Sequence, residues 1–582
     1  MQEPTMHALD WAVVAGYFAL LVAIVWYAAR RQLTTADYFL AGRNIGWFAI
    51  GASLFASNIG SEHIIGLAGA GATSGMGMAH YELHAYIMVI LAWVFVPFYY
   101  RTAVYTMPQF LERRFGPNVR WVLSLVSLIA YVLTKVAVSV YAGAVLVQAL
   151  LPDAFGGVAN FVQATLPAAL VPEPFGALQA AFWIGALLTV ILTGLYTVFG
   201  GFRAVLYTDA AQAIILILGA GAITLIGLYQ LGGWGELQQV AAENADKFAL
   251  WRPWDDPDLP WLGILIGSPI VGIWYWCTDQ YIVQRTLSAR NLTTARRGAL
   301  FGGILKVLPV LIFLVPGMIG YALHQQGVIT IPGSTPGDVN GDLVFPTMVT
   351  ELLPIGLRGL VVAGVLAALM SSLSSVFNST AALFTVDVYE KLRPNMSERH
   401  LVRVGRVATT VVVIAGLVWI PVMAQVSDKG LYSYLQTVQQ YLGPPITAVF
   451  LIALLWRRMN AVGAMWGLVL GFALGLSKLV IQTIWGAGDD KYSHPEVLAQ
   501  IGDFNFLYFS TLLFLVVLAT IFVSSILTRA PAPEKVKSLT FAGMSDEDRR
   551  EVRASWNWRD IALTVGVLGF VLATYLYFSF WI

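Results

Sequence analysis

Apolar residues occur along this chain in fourteen long runs that are separated by shorter polar segments. The runs lie near positions 9–29, 46–78, 81–100, 121–151, 178–199, 205–229, 261–284, 299–323, 357–389, 404–425, 433–456, 461–486, 505–528 and 560–581. A helix needs about 20 apolar residues to cross the hydrocarbon core of a bilayer. The strands of a membrane β-barrel would instead alternate apolar and polar residues over about ten positions. The pattern therefore predicts an all-α integral membrane protein with about fourteen transmembrane helices.

The charge content supports this prediction and excludes other classes of protein. Only 12% of the 582 residues are charged and 58% are hydrophobic, whereas a soluble globular chain carries about 25% charged residues. This composition excludes an ordinary soluble enzyme, a disordered chain and a coiled coil. The 34 basic and 33 acidic residues nearly balance, so the net charge indicates no nucleic-acid partner. The single cysteine, Cys277, excludes an intramolecular disulfide.

The distribution of Lys and Arg predicts the orientation of the chain in the membrane. With the N-terminus outside, 26 of the 34 basic residues, including Arg285, fall in inner loops and 5 fall in outer loops. The remaining three, Lys135, Lys306 and Lys478, lie inside spans. Because basic loops stay on the cytoplasmic side, we expect both termini to face outward from the plasma membrane. The run 9–29 lacks a cleavage signal and is expected to remain as a leading helix.

Two of the runs, 46–78 and 261–284, are interrupted by glycines and polar residues in their middle. They lie five spans apart, and paired interrupted helices at matching places are typical of an inverted-repeat transporter whose site lies at the bilayer midplane. The prediction is a core of five plus five helices. The chain then forms one transmembrane domain over 1–582, made of a leading helix (9–29), a first repeat (46–229), a second repeat (261–456) and additional C-terminal helices (461–582).

Six motifs on these spans resemble a known family. They are A-S-N-I-G-S-E-H-I-I-G-L-A-G (56–69), Y-T-M-P-Q-F-L-E-R-R-F-G (105–116), Y-T-V-F-G-G-F-R-A-V-L-Y-T-D (196–209), W-Y-W-C-T-D-Q-Y-I-V-Q-R (274–285), M-S-S-L-S-S-V-F-N-S (370–379) and Y-L-G-P-P-I-T-A-V-F (441–450). In this order they resemble the sodium/glucose cotransporters of the solute:sodium symporter family. The resemblance implies a LeuT-like fold, alternating access, and sugar uptake driven by sodium. Sodium would be the co-substrate, with no organic cofactor.

The resemblance also implies where a sugar binds. A hexose is neutral and rich in hydroxyls, so its site needs a few fixed donors and acceptors and an aromatic face. The positions that match the family's sugar-binding residues are Asn58, His63, Glu82, Tyr275, Trp276, Lys306 and Gln436. The positions that match its gates are Leu67, Tyr81 and Tyr432 on the outer side and Tyr275 on the inner side.

Three of these residues are ionisable and lie inside predicted spans: His63, Glu82 and Lys306. Ionisable groups at that depth are costly and are functional by default. Glu82 and Lys306 would neutralise each other, which makes them tolerable in the membrane. A purely architectural ion pair is the alternative interpretation.

Two sodium sites follow from the same resemblance. Sodium takes carbonyl and hydroxyl oxygens, and the ends of half-helices supply such carbonyls. The positions that match the common sodium site are Ala56, Ile59, Ala368, Ser371 and Ser372. A second sodium site nearer the cytoplasm would use Asp209, Ser374 and Ser375, giving two ions per sugar. The alternatives are serines that bond back to their own helix and a structural role for Asp209.

The identity of the sugar stays open at this point. Gly272 stands where relatives place a hydroxyl or amide side chain, Ala85 where some have serine, and Ser139 where animal members carry an acid. Glucose and galactose both fit. A symporter of the same fold for myo-inositol or a carboxylated solute is one alternative, and a sugar-sensing sodium channel is another. An enzyme is the weakest alternative, because no nucleophile, base and orienting group cluster in the sequence. The expected partners are the sugar, sodium and the lipid bilayer, and the oligomeric state is open.

Overall fold

The computed structural model describes residues 6–29, 34–60, 62–150, 156–165, 177–335, 339–426, 431–485 and 495–582. In this part of the chain the structure is helical, and β-structure is limited to two isolated bridges. Ten helical stretches there are long and apolar enough to cross a membrane. The structure therefore confirms the prediction of an all-α membrane protein that crosses the bilayer many times.

The helices follow one another with short connections. The first half contains α1 (Ala8–Ala29), α2 (Thr35–Leu40), α3 (Trp47–Asn58), α4 (Ala68–Ser74), α5 (Ala79–Glu82), α6 (Ala85–Ile90), α7 (Val96–Arg101), α8 (Met107–Phe115), α9 (Pro117–Ala130), α10 (Ala137–Leu150), α11 (Gly156–Thr165), α12 (Ala177–Leu231), α13 (Trp234–Glu243) and α14 (Ala245–Phe248). The second half contains α15 (Trp261–Ile273), α16 (Gln280–Leu287), α17 (Leu292–Lys306), α18 (Val315–Gln325), α19 (Gly341–Leu352), α20 (Leu357–Ala382), α21 (Glu390–Leu392), α22 (Glu398–Val426), α23 (Leu431–Leu455), α24 (Ala461–Ile484), α25 (Glu496–Asp503), α26 (Phe506–Leu527), α27 (Asp546–Ala554) and α28 (Trp558–Ser579). Turns of π-helix join several of them, at Glu62–Leu67, Leu91–Phe95, Tyr131–Val136, Trp274–Thr278, Val310–Leu314 and Leu383–Tyr389.

Outside the two interruptions, each predicted span is largely helical where the structure describes it. The two spans expected at 178–199 and 205–229 form the single element α12, which is bent at Gly201. Gly201 has φ of 55°, a left-handed conformation that glycine adopts without the steric cost of a side chain. The bend therefore takes the place of the loop that the sequence predicted between these two spans.

Both predicted helix interruptions are present. The first helix, α3, ends at Asn58, and Ile59 is extended with φ −88° and ψ 90° before the chain becomes helical again. The second, α15, passes through a π-helical turn to Asp279, which is extended with φ −78° and ψ 127°. The side chain of Asp279 accepts a hydrogen bond from the backbone N of Tyr281 and so caps α16. Each break exposes helix ends inside the protein.

The helices around the breaks pack closely. Helix α12 runs along α20, and α3 packs against both α12 and α17. The leading helix α1 also positions α20, because Asp10 Oδ1 accepts hydrogen bonds from the backbone N of Gly356 (2.7 Å) and Gly359 (2.8 Å). These are donors at the start of α20, which no residue of that helix can satisfy. The predicted leading helix therefore fixes the helix that carries the serine motif.

Helices α4 and α18 cross with their backbones in contact. A Cβ atom added to Gly317 of α18 would lie 1.9 Å from the carbonyl oxygen of Ala68. One added to Gly71 of α4 would lie 2.2 Å from the carbonyl oxygen of Leu314. Small residues at such crossings allow transmembrane helices to approach one another closely.

We expect Gly317→Ala to destabilise the protein by about 1–3 kcal/mol, because the added methyl group meets backbone that cannot move independently. The measurement is the midpoint of thermal unfolding of the purified protein in detergent. Gly566→Ala is the control, since a Cβ at that helical position meets no heavy atom within 4 Å, and its midpoint should equal or exceed that of the parent. Equal midpoints for Gly317→Ala and the parent would contradict the close crossing.

Candidate functional site

A cavity lies between the two interrupted helices. Its wall contains residues that follow the break in α3, residues of the π-helical turn after α15, and residues of α5, α17 and α23. All seven side chains predicted to contact the sugar line this cavity: Asn58, His63, Glu82, Tyr275, Trp276, Lys306 and Gln436. The structure thus brings together residues that are up to 378 positions apart in the chain.

The charged centre of the cavity is a buried ion pair. Glu82 has no exposed surface, and Lys306 Nζ donates a hydrogen bond to its Oε2 at 2.5 Å. His63 Nε2 lies 3.5 Å from the other carboxylate oxygen, Oε1. Because the ammonium and the carboxylate neutralise each other, the pair can stay in the membrane while presenting polar atoms to a ligand.

The aromatic side of the cavity comes from the π-helical turn at Trp274–Thr278. The rings of Tyr275 and Trp276 lie 5.1 Å apart with an angle of 77° between their planes. The ammonium of Lys306 lies 5.5 Å from the centre of the Trp276 ring, which ties the aromatic side to the ion pair. The arrangement offers flat apolar faces beside fixed hydrogen-bonding groups, as a hexose ring requires.

The predicted gate residues lie in different surroundings. Tyr81 and Tyr275 line the cavity. Leu67 ends the π-helical turn after the first break and is fully buried, but it does not line the cavity. Tyr432 belongs to α23, and its side chain lies outside the described residues.

The residues predicted for the common sodium site are all buried: Ala56, Ile59, Ala368, Ser371 and Ser372. The hydroxyl of Ser372 donates to the carbonyl of Ser57 at 3.2 Å, so α20 faces the C-terminal end of α3. Carbonyls in the last turn of a helix lack helical partners and are available to a cation. Ser371 points elsewhere, because its hydroxyl donates to Asp209 Oδ1 at 2.7 Å.

The three residues predicted for a second sodium ion are buried, and two of them, Asp209 and Ser375, contact the same residue, Ser57. Asp209 is fully buried and also accepts hydrogen bonds from the hydroxyls of Ser53 (2.5 Å) and Ser57 (3.0 Å). The Ser375 hydroxyl lies 3.1 Å from that of Ser57, so it belongs to this cluster. The hydroxyls of Ser374 and Ser375 both donate to the carbonyl of Ser371 in their own helix, at 2.9 and 2.7 Å. The sequence prediction did not include Ser53 and Ser57, although both precede the first break by a few residues.

Comparison with known families identifies the chain. Residues 38–156 and 158–471 match the sequence profile described as the sodium:solute symporter family. The chain belongs to this family. The symporter is therefore a sodium-coupled membrane transporter of a small molecule, and its relatives are transporters, not enzymes.

Individual relatives have related activities. The symporter is 36% identical over 566 residues to sodium/glucose cotransporter 1 of Oryctolagus cuniculus, and the match covers 91% of this chain and 80% of the relative. It is 39% identical over 561 residues to sodium/myo-inositol cotransporter 2 of the same organism, and that match covers 91% of this chain and 78% of the relative. The predicted family is thus confirmed.

A solved structure shows the fold. The structure of a Na⁺-coupled sialic acid symporter in a substrate-bound outward-open state has a TM-score of 0.72 to this chain, at 23% identity. The match covers 90% of this chain and 99% of the other. This likeness confirms the LeuT-like inverted-repeat fold, and the exact boundaries of the repeats stay a prediction.

The predicted position of Arg285 is wrong. The sequence places Arg285 in an inner loop, but in the structure it is completely buried within α16. Its Nε donates to the hydroxyl of Ser53 at 2.9 Å, its guanidinium also contacts the hydroxyls of Ser57 and Ser375, and it lies 3.5 Å from Asp209 Oδ2. Counting basic residues treats every arginine as a loop residue, whereas this one is held by a carboxylate and hydroxyls. The signal in the sequence was Asp209, a carboxylate in a span with no assigned cation.

The sequence also does not predict a second buried ion pair of the symporter. Lys135 lies on the π-helical turn between α9 and α10 and pairs with Asp279 at the second break. The hydroxyl of Tyr131 donates to the same carboxylate. The ammonium of Lys135 lies 4.2 Å from the centre of the Tyr281 ring and 4.9 Å from that of Tyr275, and it lines the cavity. The pair connects the fourth predicted span to the second break beside the predicted inner gate.

Proposed function

We propose that this symporter imports a neutral hexose, glucose or galactose, by alternating access and carries two sodium ions per sugar. In this proposal the protein lies in the plasma membrane with both termini outside. The observation that carries the proposal is the cavity itself, where the seven predicted sugar-binding side chains meet. Donors, acceptors and aromatic faces lie on several sides of one space, which suits a ring with hydroxyls on every side.

The charges of the cavity favour a neutral cargo. Its two lysines, Lys135 and Lys306, are each paired with a carboxylate, Asp279 and Glu82. A carboxylated solute would need a cation for itself, and would have to break one of these buried pairs to obtain it. A hexose can bond to the pair while leaving it intact.

The first sodium ion would bind at the C-terminal end of α3, where the hydroxyl of Ser372 already lies against the carbonyl of Ser57. The carbonyls of Ala56 and Ile59 would supply further ligands. Asn58 and His63 lie in the same interrupted segment and line the sugar cavity. An ion that binds this segment better in one conformation than in another shifts the equilibrium toward that conformation. This would couple sodium binding to formation of the sugar site.

The second sodium ion would bind at Asp209 with Ser374 and Ser375. The guanidinium of Arg285 contacts two members of this cluster, Asp209 and Ser375. A sodium ion needs the same oxygen atoms, so Arg285 would have to withdraw from them when the ion binds. We propose that exchange of Arg285 for sodium accompanies the transport cycle.

Uptake into proteoliposomes tests the proposed function. We expect labelled glucose or galactose to accumulate when sodium is added outside, and to equilibrate without accumulation when the gradient is absent. A parallel series with myo-inositol and with a carboxylated sugar defines the cargo. Hexose uptake that does not depend on the sodium gradient would contradict the symport proposal. A sodium current without sugar accumulation would favour a channel.

Myo-inositol is the second candidate cargo. The observation that favours it is the 39% identity to a sodium/myo-inositol cotransporter. Myo-inositol is also neutral and carries a hydroxyl on each ring carbon, so the same charge argument holds for it. Faster sodium-driven uptake of myo-inositol than of either hexose would replace the hexose proposal.

A further inference from the structure

One side chain of the cavity has no role in the proposed function. His84 lies between α5 and α6, two residues after Glu82, and its ring lines the cavity together with Ser268 and Gly272 of α15. The ring is held from one side, because Nε2 lies 3.0 Å from the hydroxyl oxygen of Ser268. His84 is 5% exposed, so this contact fixes the ring in a confined space.

The hydrogen bonds of Ser268 decide which nitrogen of His84 carries the hydrogen. The Ser268 hydroxyl donates its single hydrogen to the carbonyl oxygen of Ile264, at 2.7 Å. Toward His84 the same oxygen can only accept, so Nε2 must be the donor. A neutral imidazole with its hydrogen on Nε2 has an acceptor lone pair on Nδ1. Within the described part of the chain, no hydrogen bond is made to Nδ1.

The acceptor nitrogen lies beside Gly272, in the position that a side chain there would occupy. A Cβ atom added to Gly272 would lie 2.9 Å from His84 Nδ1 and 2.3 Å from Ile87 Cδ1. Any side chain at position 272 would therefore press on the histidine ring. Glycine at this position leaves room for the imidazole in the cavity wall. Among the described residues, Nδ1 is not one of the fully buried polar atoms without a partner, so it keeps access to the cavity.

We propose that His84 is a specificity-determining residue of the sugar site, with Nδ1 accepting a hydrogen bond from one hydroxyl group of the hexose. The hydrogen bond to Ser268 selects the tautomer in which Nδ1 is an acceptor, and the lack of a side chain at Gly272 leaves space for the imidazole ring of His84. The inference rests on the proposed hexose transport and adds a contact to it. The selected hydroxyl must act as a donor, so a fluorine in its place cannot substitute for it.

A panel of sugar analogues tests this assignment. Sodium-driven uptake is measured for the transported hexose and for its monodeoxy and monofluoro analogues at each carbon, in the parent and in His84→Ala. In the parent, we expect the analogue lacking the selected hydroxyl to lose about tenfold in kcat/KM, as for one hydrogen bond. In His84→Ala that penalty should disappear at one carbon and persist at the others. His324→Ala, a histidine outside the cavity, should leave the whole panel unchanged.

Ser268→Ala provides a second test that leaves the imidazole in place. Without the serine, the hydrogen can move from Nε2 to Nδ1, which can then donate to fluorine. We expect the fluoro analogue at the selected carbon to be transported better relative to the deoxy analogue than in the parent. If His84→Ala does not fold, the fluoro-to-deoxy ratio of Ser268→Ala still tests whether Nδ1 of His84 contacts the sugar.

The outcomes separate this inference from the proposed function. If the parent shows no sodium-driven hexose uptake, both the proposed function and the assignment of His84 are overturned. A parent that transports hexoses, with the same ranking of analogues in His84→Ala and the same fluoro-to-deoxy ratio in Ser268→Ala, overturns the assignment of His84 alone. Loss of the penalty at one carbon in His84→Ala supports it.

Discussion

Replacing Glu82 with glutamine should lower sodium-driven sugar uptake roughly 100-fold or more. The carboxylate is fully buried and accepts a hydrogen bond from Lys306 at 2.5 Å, so the substitution leaves a buried ammonium without a counter-charge. Breaking a buried pair in this way costs about 3–5 kcal/mol, and each 1.4 kcal/mol is a factor of ten. The measurement is the initial uptake rate per amount of folded transporter in proteoliposomes.

A double variant separates the two roles that the pair could have. Glu82→Gln combined with Lys306→Met removes both charges, so the penalty for an uncompensated charge disappears. We expect the double variant to recover the thermal stability of the parent and still fail to transport. Recovery of uptake together with stability would show that the pair is architectural and that neither residue binds the sugar.

A matched ion pair outside the cavity serves as the control for Glu82. Arg297 of α17 donates to Asp560 of α28 at 2.8 Å, on the same helix as Lys306. Asp560→Asn breaks this pair, in which Asp560 is buried but Arg297 keeps 24% of its side chain exposed, so water can solvate the guanidinium that remains. Uptake should change less than tenfold. A loss as large as that of Glu82→Gln would mean that any broken ion pair on α17 stops transport.

The cavity-lining residues could be predicted as a group because they lie on motifs that follow one another in the family's order along the chain. The interruptions in 46–78 and 261–284 could be predicted from glycine and polar residues inside apolar runs. Both signals are local in sequence. They indicate which residues face a common space, without showing which of them are in contact.

The partners of the buried charges could not be predicted in the same way. Asp279 is 144 positions from Lys135, and Arg285 is 76 positions from Asp209. No signal in the sequence around these residues shows that their side chains are in contact. A paired arginine inside a helix and an exposed arginine in a loop are the same residue type in the sequence. The orientation rule depends on loop charges, and it assigned Arg285 to a loop because α16 follows directly on the interrupted helix.

The two kinds of site share one element, helix α3. Its C-terminal end faces Ser372 of α20 and leads into the segment that carries Asn58 and His63. Ser57 at this end and Ser53, one turn earlier, contact Asp209 and Arg285. A change in the cation held at either place therefore acts on the helix whose end also forms the sugar cavity. In the proposed function this would couple sodium directly to the sugar, without a chain of intermediate residues.

Replacing Asp209 with asparagine should lower the Hill coefficient for sodium from near two toward one, because the carboxylate is the charged ligand of the proposed second ion. The measurement is the sodium dependence of sugar uptake at saturating sugar. Ser374→Ala and Ser375→Ala should shift the coefficient in the same direction by smaller amounts, since each removes one neutral oxygen. A parent coefficient near one would contradict the two-ion proposal.

Arg285 complicates this experiment, because Asp209→Asn also leaves a buried guanidinium without its carboxylate. The double variant Asp209→Asn with Arg285→Gln removes both charges and restores the balance. If Asp209 binds sodium, the coefficient stays near one in the double variant, and if it serves only as the counter-ion of Arg285, the coefficient returns to that of the parent. Asp387→Asn is the control, since Asp387 is equally buried and pairs with Arg120 at 2.5 Å outside the serine cluster. It should reduce the amount of folded protein and leave the coefficient unchanged.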